Sequence, residues 1–173
     1  MEIRAAASPK DVKVYTTERL REEFHISDLF VPGEIKLVYS HIDRIITGAV
    51  VPIKPITLTS GDELRAEYFL LRREMGVINI GGKGLISVDG TEYELDYKDG
   101  IYIGMGSKDI TFRSLDKSNL AKFYFNSAPA HTSYKTVLIK PEDCVKVECG
   151  SLEESNHRVI TKYILPGQVE SCQ

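Results

Sequence analysis

Short apolar runs, broken every few residues by Gly, Asp, Asn or Pro, set the pattern of this chain. Segments 35–40, 44–50, 56–59, 66–71, 77–80, 84–88, 91–95, 100–103, 109–113, 121–126, 136–139 and 159–165 read as strands. They recur every 8–12 residues with turn residues between them, the rhythm of an antiparallel sandwich or barrel. The clearest hairpin has Ile86 and Val88 alternating with Ser87, and Tyr93 and Leu95 alternating with Glu92 and Glu94. Asp89-Gly90 between them supplies the positive φ values that a type I′ turn requires. One face of this hairpin is therefore buried and one is wet. Helical spacing is confined to residues 17–24, where Thr17 can cap, Glu18 sits in the first turn and Leu20 and Phe24 share a face. Pro141-Glu142-Asp143 suits the start of a second short helical turn. The chain divides into an arm with a short helix (1–34), a β-sandwich (35–139) and a connector with a further strand (140–173).

Composition narrows the function classes. The 173 residues amount to about one domain, with a formal charge of −3 and no basic block. A nucleic-acid surface needs a clustered basic stripe, so none is expected. No apolar run reaches the length of a membrane span, and the first residues lack the apolar core of a secretory leader. Cys144, Cys149 and Cys172 have no disulfide or zinc spacing and read as free thiols. A reducing, cytoplasmic setting is the expectation.

Residues 67–113 resemble a cupin, a double-sheet jelly roll. Metal-binding cupins carry His-x-His, then Glu, six residues and Gly. Here Glu74 to Gly81 reproduces the Glu-x6-Gly step, while Glu67 and Phe69 stand where the two His would fall. In the second cupin motif, Gly104-Met-Gly-Ser-Lys-Asp109 puts Asp where the last His belongs. The expected fold is thus all-β, a cupin-like antiparallel jelly roll with an N-terminal arm and one or two short helices. Three of its four metal positions are lost. A zinc site needs side chains converging at about 2.0–2.2 Å, so no metal is expected within this chain.

Longer strings narrow the resemblance. Tyr39-Ser-His-Ile-Asp-Arg-Ile-Ile46, Glu74 to Gly84 with Val88-Asp-Gly90, Asn126-Ser-Ala-Pro-Ala-His-Thr132, Asn156 to Tyr163 and Glu170-Ser-Cys-Gln173 together resemble the 5-keto-4-deoxyuronate isomerases. The resemblance implies a cytoplasmic enzyme of pectin and uronate breakdown. Such an enzyme interconverts 5-keto-4-deoxyuronate and 3-deoxy-D-glycero-2,5-hexodiulosonate. It implies a bicupin, of which this chain is one half, assembled as a homohexamer. It also implies zinc held by a His-x-His, a Glu and a further His in a second half, beyond the point matched by Gln173. The four histidines here, His25, His41, His131 and His157, include no His-x-His, and none takes a ligand role. A non-catalytic cupin module, for sugar-acid binding or oligomer assembly, is the alternative. Without a covering half, strand 159–165 and the adjacent sheet edge would be exposed, and association of the chain is expected.

Ketol isomerisation moves a proton between neighbouring carbons. It needs a general base and a stabiliser for the enediolate oxygen. The substrate carboxylate suits an Arg fork. Candidates for catalysis are His41, Glu74 and His131, and for substrate binding Arg44 and Arg72. Each has a plainer reading. His41 can be a hydrogen-bonded structural residue, and Asp43-Arg44 a simple ion pair. Strand alternation puts Arg72 and Glu74 on one face, where they could pair inside a former metal pocket, with Arg73 on the other. Arg72, Glu74 and His41 could also serve a metal-independent enzyme. His131 lies in a loop, because Pro129 disfavours a central strand there. Gly81-Gly82-Lys83-Gly84 lacks phosphate-loop spacing and reads as a tight turn. Tyr93, Tyr97, Tyr102, Tyr124 and Tyr134 read as core or interface aromatics.

Overall fold

The computed structural model describes residues 1–172. In chain order the strands are β1 (Glu2–Arg4), β2 (Ile35–Ser40), β3 (Ile46–Val50), β4 (Ile56–Thr57), β5 (Arg73–Asn79), β6 (Gly84–Val88), β7 (Thr91–Leu95), β8 (Gly100–Ile103), β9 (Ile110–Ser114), β10 (Phe123–Pro129), β11 (Val137–Ile139), β12 (Val145–Cys149) and β13 (Arg158–Lys162). Helix α1 spans Pro9–Val12 and α2 spans Thr17–Phe24. One sheet runs β1-β2-β3-β10-β5-β8-β11, a second runs β4-β9-β6-β7, and β12 and β13 form a separate hairpin. All strand pairs are antiparallel except β1 with β2. This is the expected cupin-like jelly roll.

The core lies between the two sheets. Ile46, Val50, Met75, Val77, Ile86, Ile101 and Ile103 meet there with four phenylalanines. Phe125 stacks on Phe112 at 6.3 Å and takes Phe69 edge-on at 6.4 Å. Burying each such ring is worth about 1.5–3 kcal/mol. The β6–β7 turn holds Asp89 and Gly90 at φ 48° and 85°, as its sequence demands. Gly81 and Gly82 are a steric requirement. A Cβ on Gly82 would sit 2.0 Å from the Asn119 carbonyl oxygen, and one on Gly81 would sit 2.4 Å from the Lys122 nitrogen. Residues 140–172 fold back, so that Val169 and Cys144 pack with Tyr102 and Ile139 on the outer face of the large sheet.

Several expectations are corrected. Segment 66–71 is a series of bends and turns rather than a strand, with Phe69 and Leu70 buried by it. The strand after it instead starts at Arg73, four residues before the expected 77. The arm is partly ordered, since β1 adds to β2 in parallel and Ser8 caps α1. Thr16, not Thr17, caps α2, its hydroxyl accepting from the Arg19 amide. Pro141–Asp143 makes a hydrogen-bonded turn and no helix. Strand β12 was not foreseen. Pro129 ends β10 within the large sheet. Pairing with β3 stops at Ser127, and the Ala130 amide bonds the Arg72 carbonyl on the β5 side, one residue before that strand begins. The nitrogen of Pro129 therefore faces the side where no ladder remains, so its missing N–H costs nothing. Tyr97 is exposed on the single chain and so does not belong to the core. Among the described residues, no helix is long and apolar enough to cross a membrane.

Candidate functional site

Strand β5 carries different chemistry on its two faces. Met75 and Val77 point between the sheets, so Arg73 and Asn79, two residues beyond each, share that inner face. Glu74, Gly76 and Ile78 point to the outer face.

Arg73 sits at the open end of the core and is only 7% exposed. Its Nε donates to Ser127 Oγ at 3.1 Å, and its Nη2 to the Ser127 and Arg44 carbonyls at 2.7 and 2.6 Å. Its Cζ lies 5.8 Å from the Tyr39 ring centroid. All three acceptors are formally neutral, and no carboxylate among the described residues pairs with this guanidinium. Burial pushes its pKa down to about 10, which leaves it a cation at neutral pH.

Arg73 opens into a cleft of about 620 Å³ that Tyr39, Arg44, Arg72 and His131 also line. Arg44 reaches it from a turn in which Ile45 N donates to the Ile42 carbonyl at 3.5 Å. Asp43 and Arg44 at its centre have φ of 54° and 55°. They form a tight turn and not the ion pair suggested by their adjacency. Arg72 Nη2 donates to the Leu64 and Arg65 carbonyls at 3.4 and 3.3 Å. Glu63, the carboxylate in the lining, accepts from the Met1 amine at 3.2 Å. Its own backbone amide and then that amine hold its pKa below the usual carboxylate value. The cleft is therefore cationic and suited to a small anion.

The outer face is different. Glu74 is 3% exposed, accepts from Tyr102 OH at 2.8 Å, and accepts from the Cys172 amide at 3.0 Å on each oxygen. Burial, and then the bond to Glu74, push the Tyr102 pKa far above that of an ordinary phenol. Beside them is an apolar pocket of about 240 Å³ under Tyr163 and Ile164.

Of the five residues expected from sequence, Arg44, Arg72 and His131 converge on the cleft. His41 is exposed nearby, its ring edge-on to Tyr39 at 5.6 Å. Glu74 is on the other side of the sheet. The expected Arg72–Glu74 pair does not form, and a shared site of Arg72, Glu74 and His41 is excluded by that placement. Arg73 and Tyr39 were missed. Carrying the apolar alternation of Met75 and Val77 back by two residues is the signal that finds Arg73. Among the described residues, no group of three His, Cys, Asp or Glu side chains could hold a metal ion. The zinc implied by the resemblance does not fit these residues, and no chemical step can be routed through it here.

The sequence profile of the KduI/IolB family matches residues 25–173. The chain is 77% identical over 174 residues to a 4-deoxy-L-threo-5-hexosulose-uronate ketol-isomerase of Lachnoclostridium phytofermentans, covering 100% of this chain and 63% of that protein. It is 44% identical over 176 residues to the enzyme of the same name from Escherichia coli, again covering 100% and 63%. The chain thus spans about 63% of the length of these relatives. Among solved structures, an IolB-like protein from Salmonella typhimurium superposes with a TM-score of 0.54 at 14% identity, over 73% of this chain and 47% of that one. That likeness supports the fold alone. Fold and sequence agree over most of the molecule, and the chain belongs to the KduI/IolB family.

Proposed function

We propose that the protein acts in uronate breakdown as a ketol-isomerase, interconverting 5-keto-4-deoxyuronate and 3-deoxy-D-glycero-2,5-hexodiulosonate. The observation that carries this reading is 77% identity, over the whole of this chain, to a protein named for that reaction. The reaction removes a proton beside a carbonyl and returns it to the neighbouring carbon, so it needs a base and a stabiliser for the enediolate oxygen. We place the zinc that would serve as stabiliser on residues outside these 173, because the described ones offer no ligand set. The present chain then supplies a jelly-roll half, and homohexamer assembly in the cytoplasm belongs to the same reading. The test is to follow 5-keto-4-deoxyuronate by NMR, with the 173-residue chain and with the protein extended to the length of its relatives. Conversion by the extended, zinc-loaded form is expected. No conversion by either form would overturn the reading.

A second reading is a non-catalytic cupin module that binds a sugar acid or builds an oligomer. It is favoured by the structural use of Glu74, whose cupin counterpart would be a metal ligand. Turnover by the 173-residue chain alone would reject it.

A further inference from the structure

We propose that the cleft around Arg73 is a binding site for the carboxylate of a small sugar acid, separate from any metal centre. Arg73 is a buried guanidinium whose partners are a hydroxyl and two carbonyls. A buried charge ordinarily has a partner of opposite sign, because its solvation is lost on folding. None is present among the described residues, and Nη1 has no protein acceptor among them. The site opens toward the unpaired charge, through a cleft that two more arginines and His131 line. Glu63 cannot serve as internal counter-ion to all of them, and its carboxylate already takes the Met1 amine.

The shape points to a sugar acid rather than a bare ion. Beside the cations, Tyr39, Leu64, Phe69 and Pro129 give the cleft an apolar wall. Such a wall suits the C–H face of a sugar ring or chain, while the carboxylate meets Arg73. About 620 Å³ is ample for one hexuronate and lies within the usual range of small-molecule sites. The backbone is shaped around the cation too. Asp43 and Arg44 both adopt a left-handed conformation that L-residues avoid, and the Arg44 carbonyl thereby reaches Arg73 at 2.6 Å. Strain of this kind concentrates at ligand sites. The choice of a sugar acid rests on the ketol-isomerase reading, whereas the anion site rests on the geometry.

The test is calorimetric titration of the 173-residue chain with galacturonate, galactose and inorganic phosphate. Galacturonate is expected to bind and galactose is not. Arg73→Met should weaken uronate binding at least ~10-fold, the usual effect of losing a charged hydrogen bond. Should that variant misfold, Arg44→Gln and Arg72→Gln alter exposed side chains and should each weaken binding by ~3-fold or more, by loss of cleft charge. Lys117→Gln removes the same charge beyond the other end of β10 and should leave the affinity unchanged. Uronate binding by this chain, with no ketol-isomerase turnover by the extended, zinc-loaded form, would support the site and remove the enzyme reading. Phosphate binding without uronate binding would overturn the sugar-acid site. Equal binding of galactose, or uronate affinity untouched by the arginine variants, would overturn it as well.

Discussion

Arg44 concentrates a conflict between stability and binding at one residue. Its φ of 55° is a left-handed conformation that costs an L-residue about 1 kcal/mol or more, whereas glycine adopts it freely. Arg44→Gly should therefore raise unfolding stability by up to about 1 kcal/mol in urea titration, and yet weaken uronate binding. A less stable variant would mean that the Arg44 side chain contributes packing that its exposure does not suggest. Glu74 presents the opposite case. The cupin spacing makes it the counterpart of a metal ligand and its carboxylate makes it a candidate for catalysis, but its oxygens clamp Tyr102 and the Cys172 amide. In Glu74→Gln, one amide donor would face another donor at Cys172. The expected cost is about 1–3 kcal/mol, together with faster proteolysis after residue 165. Unchanged stability and unchanged cleavage would remove Glu74 from that role.

At the scale of elements, sequence alternation was informative wherever one face of a strand is wet. The β6–β7 hairpin was legible to its last residue, because Asp-Gly and the alternating pattern agree. Alternation failed for 66–71, where an apolar run is buried by turns rather than by a strand. It also failed for β5, whose first residues are charged and so hid its true start. That shift concealed Arg73, which lies among the four residues the expected strand left out and shares the inner face of Met75 and Val77. The other end of the same inner column is Asn79, which is fully buried. Its side-chain nitrogen donates to the carbonyls of Gly82, Leu95 and Asp96 at 2.8–3.2 Å, and its oxygen accepts from Gly81 and Lys122. It joins the ends of β5, β6, β7 and β10 without belonging to any motif. Asn79→Ala leaves several of these buried groups without partners and should cost about 3 kcal/mol or more in chemical denaturation. A loss below about 1 kcal/mol would show that water replaces the network.

For the whole molecule, the fold was legible because strand rhythm and the degraded cupin motif agreed. The site was legible only in part, because convergence of Arg44, Arg72 and His131 depends on contacts across three loops. The β12–β13 hairpin leaves Val145, Val147, Val159 and Ile160 exposed. Apolar edges of this kind favour association, so light scattering is expected to show oligomers of the 173-residue chain. A sharp monomer would contradict that. The jelly roll is proposed as a sugar-acid-binding half whose enzyme holds its metal elsewhere. Zinc per chain, measured by elemental mass spectrometry on protein purified without chelators, tests this most directly. A value near zero is the expected result. A value near one would contradict it, and would make His41, His131 and His157 the residues to examine as ligands.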